Sequence, residues 1–185
     1  AMKHVIEARW FLYKIYNYER AFYYFHLAVN NMLKNNDFDR LPPILNNIGL
    51  IYLHIKDYEK AKENFLRALY ISKSNNNLAS SVSSLFNLSA LYDNLDNQKI
   101  SLKYQFEALE ICIKLKDTLK TAISKLNIGI FYNKLSEPNT AIKYLNEAQE
   151  IFEKSSDAYK YYQTYTLQNL GSAYLKLKEN DKAYN

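Results

Sequence analysis

The sequence predicts an all-α fold built from repeated pairs of helices. Gly and Pro, the residues that most often interrupt helices, number only 3 each among 185 residues, well below ordinary usage of about 7% and 5%. The glycines also recur in one pattern, an Asn followed by an aliphatic and then a small residue, which ends at Gly49, Ser89, Gly129 and Gly171. This regular spacing, about 40 residues, is typical of solenoids made of helix pairs.

The composition excludes several other classes of protein. Hydrophobic residues make up 48% and aromatic residues 15% of the chain, which is enough apolar surface to exclude general disorder. A single Cys excludes an internal disulfide framework, and no apolar run approaches the roughly 18 residues needed to cross a bilayer. The net charge of +5 is scattered, whereas nucleic-acid binding needs a clustered basic stripe. We therefore expect a cytoplasmic protein with no nucleic-acid partner through this region and no membrane partner.

Helix breaks divide the chain into units. Pro42 and Pro43 suit the first turn of a helix, and Ser136–Asn139 suits a turn inside a unit. Asn, Ser and Asp favour breaks between helices, and such residues stand at Asn75–Asn77, Asp117 and Ser155–Asp157. We interpret residues 1–185 as a single array, a fragment of a longer protein, with units at about 2–36, 42–75, 82–117, 122–155 and 162–185, the last of them incomplete.

Each unit carries further residues at fixed distances from its small residue. A Tyr follows three positions later, at Tyr52, Tyr92, Tyr132 and Tyr174. Small residues follow twelve later, at Ala61, Ser101, Ala141 and Ala183, with Ala21 in the first unit. Another small residue comes seven positions after those, at Ala28, Ala68, Ala108 and Ala148. Small side chains at these positions let neighbouring helices approach closely, and larger ones would overpack the contact.

This pattern resembles the tetratricopeptide repeat (TPR). That family has Gly at position 8, Tyr at 11, Ala at 20, an aromatic residue at 24 and Ala at 27. Gly49, Tyr52, Ala61, Phe65 and Ala68 match all of these positions. The resemblance covers nearly the whole chain and implies a right-handed α-α superhelical solenoid of about four and a half repeats.

The sequence departs from the family pattern in two units. Counting back one period from Gly49 and Tyr52 places Arg9 and Leu12 at positions 8 and 11, which makes the first unit degenerate. In the third unit, Ser89, Ser101 and Gln105 replace the expected residues. The usual period of the family is about 34 residues, so the longer period of this chain implies longer helices or longer connections.

This longer period resembles the TPR regions of bacterial signalling proteins. These include peptide-pheromone receptors of the Rap, PlcR and NprR kind, and sensory arrays fused to kinases and transcription regulators. The resemblance implies a protein- or peptide-binding scaffold, the sensory or interaction region of a bacterial signalling or transcription-regulatory protein. Its concave groove would hold an extended peptide or a partner's segment.

The resemblance places particular side chains in that groove. Position 6 carries an amide in four successive units, Asn47, Asn87, Asn127 and Asn169, which we call the amide ladder. An amide offers both a donor and an acceptor to a peptide backbone. Seven positions further on come His54, Asn94, Lys134 and Lys176. We predict that these eight residues contact the peptide or partner. The alternative is that Asn at position 6 is a general feature of the repeat. Lys134 and Lys176 also resemble part of a carboxylate clamp.

The sequence offers no support for catalysis. His4, His26 and His54 have no metal-ligand spacing, and no nucleotide-binding or nucleophile motif is present. Cys112 lies on an apolar stripe and is predicted to be a buried core residue. We expect no enzymatic activity, no cofactor and no metal.

A structural role is the competing interpretation. The many tyrosines indicate half-buried packing residues, some of which could form an interface. In that case the array would be an assembly or dimerisation module that uses its convex face or its uncapped C-terminal end, with a homodimer through that end.

Overall fold

The computed structural model describes residues 1–156 and 159–184, with side chains through Lys178. All the regular structure in these residues is helical. A single 3₁₀ turn, Phe38–Arg40, precedes the third α-helix. The helices are α1 (Met2–Tyr13), α2 (Tyr18–Lys34), α3 (Leu41–His54), α4 (Tyr58–Ser74), α5 (Leu78–Asn94), α6 (Gln98–Lys114), α7 (Thr118–Lys134), α8 (Pro138–Glu153) and α9 (Lys160–Tyr184).

Helices and loops alternate regularly, and each helix with the loop after it spans half of one repeat. Helices α2, α4, α5, α6 and α7 are each 17 residues long, and most loops between helices have three residues. The middle residue of each three-residue loop adopts a positive φ, and so does Tyr16, the third residue of the four-residue α1–α2 loop. Such residues are Tyr16, Asn36, Lys56, Asn76, Asp96, Lys116 and Ser136. A residue in this left-handed conformation ends a helix tightly. The long repeat period therefore comes from long helices joined by short loops.

The residue after each left-handed position starts the next helix. The side chains of Asn17, Asp57, Asn77 and Asp117 accept hydrogen bonds from backbone N–H groups three positions on, at 3.0–3.2 Å. Asn and Asp are favoured here because the side-chain oxygen satisfies an otherwise unpaired N–H. Two of these caps, Asn77 and Asp117, lie at the predicted breaks between helices, Asn75–Asn77 and Asp117.

The chain divides into two compact units, of which the first spans Ala1–Asn97. Its core is formed by the facing sides of α1 to α4, and Phe25, Met32, Leu41 and Ile48 are among its buried side chains. Gly49 lies against Phe65, so that a Cβ added to Gly49 would stand 2.4 Å from Cε1 of the ring. Glycine is therefore required at this crossing of α3 and α4.

The second unit begins at Gln98 and contains α6 to α9. Gly129 repeats the contact of Gly49, since an added Cβ would stand 2.6 Å from Cγ of Leu145. Lys125 of α7 pairs with Glu147 of α8 at 2.7 Å. Cys112 is buried, as predicted, and burial raises the pKa of its thiol.

The small residues predicted at positions 20 and 27 are confirmed as packing positions. None has any exposed surface among those whose side chains are described. They are Ala21, Ala28, Ala61, Ala68, Ser101, Ala108, Ala141 and Ala148. Ala183, the predicted counterpart in the last unit, lies outside the described side chains.

The first repeat is not degenerate, which corrects the alignment of Arg9 and Leu12 with positions 8 and 11. In later repeats the N–H that follows the left-handed residue donates to the carbonyl of the position-11 Tyr five positions earlier, as Asp57 does to Tyr52. In the first repeat Asn17 donates to Phe11, six positions earlier. The α1–α2 loop therefore contains one extra residue.

Moving α1 by one residue restores the repeat pattern. Ala8, which has no exposed surface, takes position 8, and Phe11 takes position 11. Phe11 stacks on Tyr24 with ring centroids 5.6 Å apart, as Tyr132 stacks on Tyr144 at 5.9 Å. Counting the sequence at a constant period misses the extra loop residue, and this is the physical reason for the wrong alignment.

Helix α9 differs from the first helices of the other repeats. It runs from Lys160 to Tyr184 without the turn that the repeat pattern predicts after position 14. A Cβ added to Gly171 would meet no described atom within 4 Å. Close packing against the paired helix therefore accounts for the glycine at Gly49 and Gly129, and no described contact accounts for it at Gly171.

Candidate functional site

Two predicted ladder residues line one cavity of the first unit. This cavity has a volume of about 310 Å³, and we call it the amide cavity. Its lining comes from the first helices of three successive repeats, α1, α3 and α5. The lining residues are Arg9, Pro43, Asn46, Asn47, Leu50, Ser80, Ser83 and Asn87.

A second cavity of about 370 Å³ holds two more of the predicted residues. It is lined by Leu50, Leu53, His54, Lys56, Tyr58 and Asn94, and we call it the histidine cavity. Leu50 belongs to both cavities, so they are neighbours along one face of α3 and α5. The sequence prediction that Asn47, His54, Asn87 and Asn94 share a face is consistent with this arrangement.

The amide groups of the first unit differ in what they can offer a ligand. Oδ1 of Asn47 accepts a hydrogen bond from the Tyr13 hydroxyl at 3.0 Å, which leaves its Nδ2 as a donor. Asn87 makes no hydrogen bond through its side chain to any described residue. Nδ2 of Asn94 donates to the Ala90 carbonyl at 2.8 Å, which leaves its Oδ1 as an acceptor.

The imidazole of His54 is held by an aromatic neighbour. It packs against the ring of Tyr18, the first residue of α2, with ring centroids 4.4 Å apart. This contact positions the imidazole at the edge of the histidine cavity, beside Leu53 and Asn94.

Asn46 connects two of the helices that line the amide cavity. Its Nδ2 donates to Oγ of Ser84 at 3.0 Å, and both residues are buried. Its Oδ1 is buried without a hydrogen-bond partner among the described residues. This polar link between α3 and α5 fixes the spacing of the helices that carry Asn47 and Asn87.

The other four predicted residues lie in the second unit, and their side chains make different contacts. Asn127 is half-buried, and Nδ2 of Asn169 donates to the Tyr165 carbonyl at 2.8 Å. The ammonium of Lys134 lies 5.5 Å from the ring centroid of Phe131. Nζ of Lys176 donates to the backbone carbonyl of Asn133. The structure therefore uses Lys176 to join α9 to α7, which weakens its resemblance to part of a carboxylate clamp.

Comparison with known families agrees with the helix pairs described above. One tetratricopeptide repeat model matches residues 120–184, and another matches residues 42–75. Together the two matches cover more than half of the chain. The chain belongs to the tetratricopeptide repeat family. Members of this family are generally non-enzymatic scaffolds that bind proteins or peptides.

Solved TPR-type structures share the fold. The apo form of RapI is 21% identical with a TM-score of 0.85, and the match covers 99% of this chain and 66% of RapI. BtubC from P. vanneervenii is 20% identical with a TM-score of 0.71, covering 99% and 84%. A Rap protein complexed with Competence and Sporulation Factor is 19% identical with a TM-score of 0.75, covering 98% and 50%. These likenesses confirm the predicted all-α TPR fold.

The chain spans about two-thirds of the length of RapI and half of the length of the complexed Rap protein. No curated protein matches the chain. The comparisons therefore establish the family and the fold.

The corrected TPR register adds two residues that the sequence prediction missed, Arg9 and Tyr13. Arg9 takes position 9, the position of Leu50 in the second repeat, and Tyr13 takes position 13, the position of His54. Both face the amide ladder, since Arg9 lines the amide cavity and Tyr13 bonds Asn47. The extra residue in the α1–α2 loop shifts the alignment of α1 by one position, and allowing for it in the sequence would have placed Arg9 at position 9.

The remaining predictions concern metals and membranes. Among the described side chains, those of residues 1–156 and 159–178, no group of three His, Cys, Asp or Glu could hold a metal ion. Among the helices described, none is long and apolar enough to cross a bilayer.

Proposed function

We propose that this TPR array is a protein- or peptide-binding scaffold whose first-helix face holds an extended peptide or a partner's segment. The amide cavity is the observation that carries the proposal. It presents Asn47 and Asn87 on successive repeats, each with an amide donor that no described residue uses. Amides in register can pair with the N–H and C=O groups of an extended backbone.

The histidine cavity extends the same surface. Leu50 joins it to the amide cavity, while His54 and Asn94 add polar groups and Leu53 adds apolar area. In the second unit, we propose that Asn127, Lys134, Asn169 and Lys176 also contact the peptide or partner. Their supporting observation is their place at positions 6 and 13 of the fourth and fifth repeats.

The biological setting belongs to the same proposal. We propose that the array is the sensory or interaction region of a bacterial signalling or transcription-regulatory protein in the cytoplasm. The support is the likeness of fold to RapI and to a Rap protein complexed with Competence and Sporulation Factor. The proposed partner is a protein or a peptide, with no nucleic acid bound through this region and no membrane.

The test is capture of ligands from a lysate of the source organism on immobilised protein, followed by mass spectrometry. The wild type is compared with Asn47→Ala/Asn87→Ala. A matched control, Asn31→Ala/Asn64→Ala, removes two amides from the second helices α2 and α4, outside both cavities. Circular dichroism establishes that each variant is folded. We expect the control to retain the wild-type ligand and the ladder variant to lose it.

Retention by the ladder variant would contradict the proposal and favour an assembly role. One feature supports that alternative. Helix α9 exposes Tyr161, Leu167, Tyr174 and Leu175 by 52–71%, and a Cβ added to Gly171 beside them would meet no described atom within 4 Å. Light scattering then tests the assembly role by measuring the molar mass in solution. If this face of α9 pairs with a second copy, the protein should be a dimer at micromolar concentration.

A further inference from the structure

We propose that a cavity beside the amide cavity binds one large apolar side chain of the peptide or partner segment, a Leu, Ile, Met or Phe. This cavity has a volume of about 370 Å³, and we call it the apolar cavity. Its lining comes from α1, α2, the 3₁₀ turn and the first turns of α3 and α5. The inference rests on the proposed function and adds a specificity site to it.

The start of α3 departs from the repeat, and this departure supplies part of the lining. Asn36 and Asn76 are the left-handed residues before α3 and α5. Helix α5 starts two residues after Asn76, whereas α3 starts five residues after Asn36, at Leu41, with the 3₁₀ turn in between. Pro42 and Pro43 have no N–H, which removes the first two bonds of an α-helix that would start at residue 38. The residues before them take the tighter 3₁₀ form, and two of these residues line the cavity.

The walls of the apolar cavity match an apolar side chain. Five of its nine lining residues are apolar, and two of them, Met32 and Ile44, are buried in the core of the first unit. Both methionines of the chain, Met2 and Met32, belong to the lining. A methionine side chain is flexible and polarizable, so it adapts to apolar groups of different shape. An apolar side chain that enters the cavity removes its own surface and these walls from water, which favours binding.

The charged residues in the lining already have partners within the protein. Oδ1 of Asp39 accepts a hydrogen bond from Nδ2 of Asn75 at 2.7 Å. The guanidinium of Arg40 lies 3.7 Å from the carboxylate of Asp37. Asp39 and Arg40 are the acidic and the basic residue of the lining, and their charges are opposite. The apolar cavity therefore does not favour a charged group of the ligand.

The apolar cavity is continuous with the surface proposed to hold the peptide. Pro43 and Ser80 line both the apolar cavity and the amide cavity. Leu50 in turn joins the amide cavity to the histidine cavity. An extended backbone advances about 3.3 Å per residue and directs successive side chains to opposite sides. A peptide held at the amide cavity can therefore place a side chain in the apolar cavity, which assigns this cavity to the same ligand.

The probe is a synthetic library of random heptapeptides, passed over the immobilised protein. Mass spectrometry identifies the peptides that the wild type retains. Selected binders are remade with each Leu, Ile, Met or Phe replaced in turn by Ala. Fluorescence anisotropy then measures the affinities of each parent peptide and of its alanine derivatives, and their ratio reports the contribution of the apolar side chain.

The key variant is Val5→Phe. Val5 is half-buried and lines the apolar cavity, so a larger side chain at this position fills part of the cavity. Ile113→Phe is the matched control, because Ile113 is an exposed aliphatic residue of α6 that lines none of the three cavities. Met2→Gln is a second variant, which makes one wall polar at a residue that is 52% exposed. Circular dichroism establishes that each variant is folded.

We expect the retained peptides to share a large apolar residue. Its replacement by Ala should weaken binding about tenfold on the wild type and on Ile113→Phe. The same replacement should weaken binding less than about twofold on Val5→Phe, and about threefold on Met2→Gln. If Val5→Phe does not fold, Met2→Gln decides between the two results.

Unchanged discrimination by the folded variants, or retained peptides that tolerate Ala at every apolar position, would overturn the apolar site and leave the peptide-binding function intact. A dimer of the wild type that Val5→Phe dissociates in light scattering would assign the cavity to a second copy of the chain, which also overturns the inference. Retention of no peptide by the folded wild type would overturn both the site and the proposed function.

Discussion

At the scale of single residues, the three glycines share a sequence pattern and differ in environment. Gly49 and Gly129 each face a large side chain of the paired helix. Gly171 faces no described atom within 4 Å. A glycine inside a helix costs about 1 kcal/mol relative to alanine. At Gly49 and Gly129, the close packing of paired helices that glycine permits offsets that cost. At Gly171, no described contact offsets it.

The first prediction follows from this difference. Gly49→Ala should lower the free energy of unfolding by about 1–2 kcal/mol. The new methyl group overpacks the contact with Phe65, and the cost of this overpacking exceeds the free energy that the helix gains when alanine replaces glycine. Gly171→Ala should raise it by up to about 1 kcal/mol. Urea denaturation followed by circular dichroism measures both. Equal effects at the two positions would show that Phe65 does not impose the glycine.

The residues proposed to contact the ligand are only partly predictable from sequence. The amide ladder is recognisable because Asn recurs at a fixed distance from the small residue. Sequence reasoning misses Arg9 because one inserted residue in a loop moves α1 by about 100° around its axis. Whether an amide is free also depends on local geometry, since Asn94 and Asn169 donate to carbonyls of their own helices while Asn87 does not.

At the scale of helices and loops, the left-handed residues between helices are the recurrent feature. Their φ values lie between 52° and 63°, in the left-handed region, and Asn76 has a φ of 52° and Lys116 one of 54°. This conformation is costly for residues with a Cβ and free of strain for glycine. None of the positive-φ residues described is a glycine. The loops of this protein therefore carry strain that a single substitution can remove.

The second prediction concerns Lys116, which has a φ of 54° between α6 and α7. Lys116→Gly should raise the free energy of unfolding by about 1 kcal/mol, since the strain removed exceeds the added flexibility of the unfolded chain. Lys103→Gly, in the middle of α6, should lower it by about 1 kcal/mol. Urea denaturation of the two variants provides the measurement, and a loss of stability in both would contradict the role of the left-handed position.

Element boundaries are largely predictable from sequence because the capping residues are short and polar. Asn77 and Asp117 are recognisable in sequence as breaks between helices and prove to be N-caps. The continuous helix α9 is not predictable, since Gly171, Tyr174 and Ala183 reproduce the spacing of a helix pair. Spacing alone does not determine where a helix ends when its own cap residues are missing.

At the scale of the whole molecule, two acidic caps couple stability to pH. Hydrogen bonds from Lys60 hold the pKa of Asp57 below its usual value, and the backbone N–H of Lys120 is the main cause of the lowered pKa of Asp117. A carboxylate with a lowered pKa in the folded state stabilises the fold above its unfolded pKa. That contribution is lost as the pH falls through the folded pKa.

The third prediction is the resulting acid sensitivity. The free energy of unfolding should be constant near neutral pH and should fall as the pH drops from about 5 to below about 4. Asp57→Asn/Asp117→Asn keeps the capping oxygens and removes both charges, so its stability should fall less over that range. Denaturation at several pH values compares the two proteins. A parallel fall in both would show that other carboxylates carry the acid sensitivity.

The regular alternation of helices and short loops limits how this chain can change in length. Within each of the two units, helices joined by three-residue loops are antiparallel neighbours, so removal of one helix with its loop would leave the following helix pointing the wrong way. Removal or duplication of a whole helix pair preserves both direction and neighbouring contacts. Single-residue changes are tolerated in a loop, as the α1–α2 connection shows, at the cost of rotating one helix. Such a rotation exchanges the side chains that the binding face presents, and a small loop insertion is therefore a route to new ligand specificity.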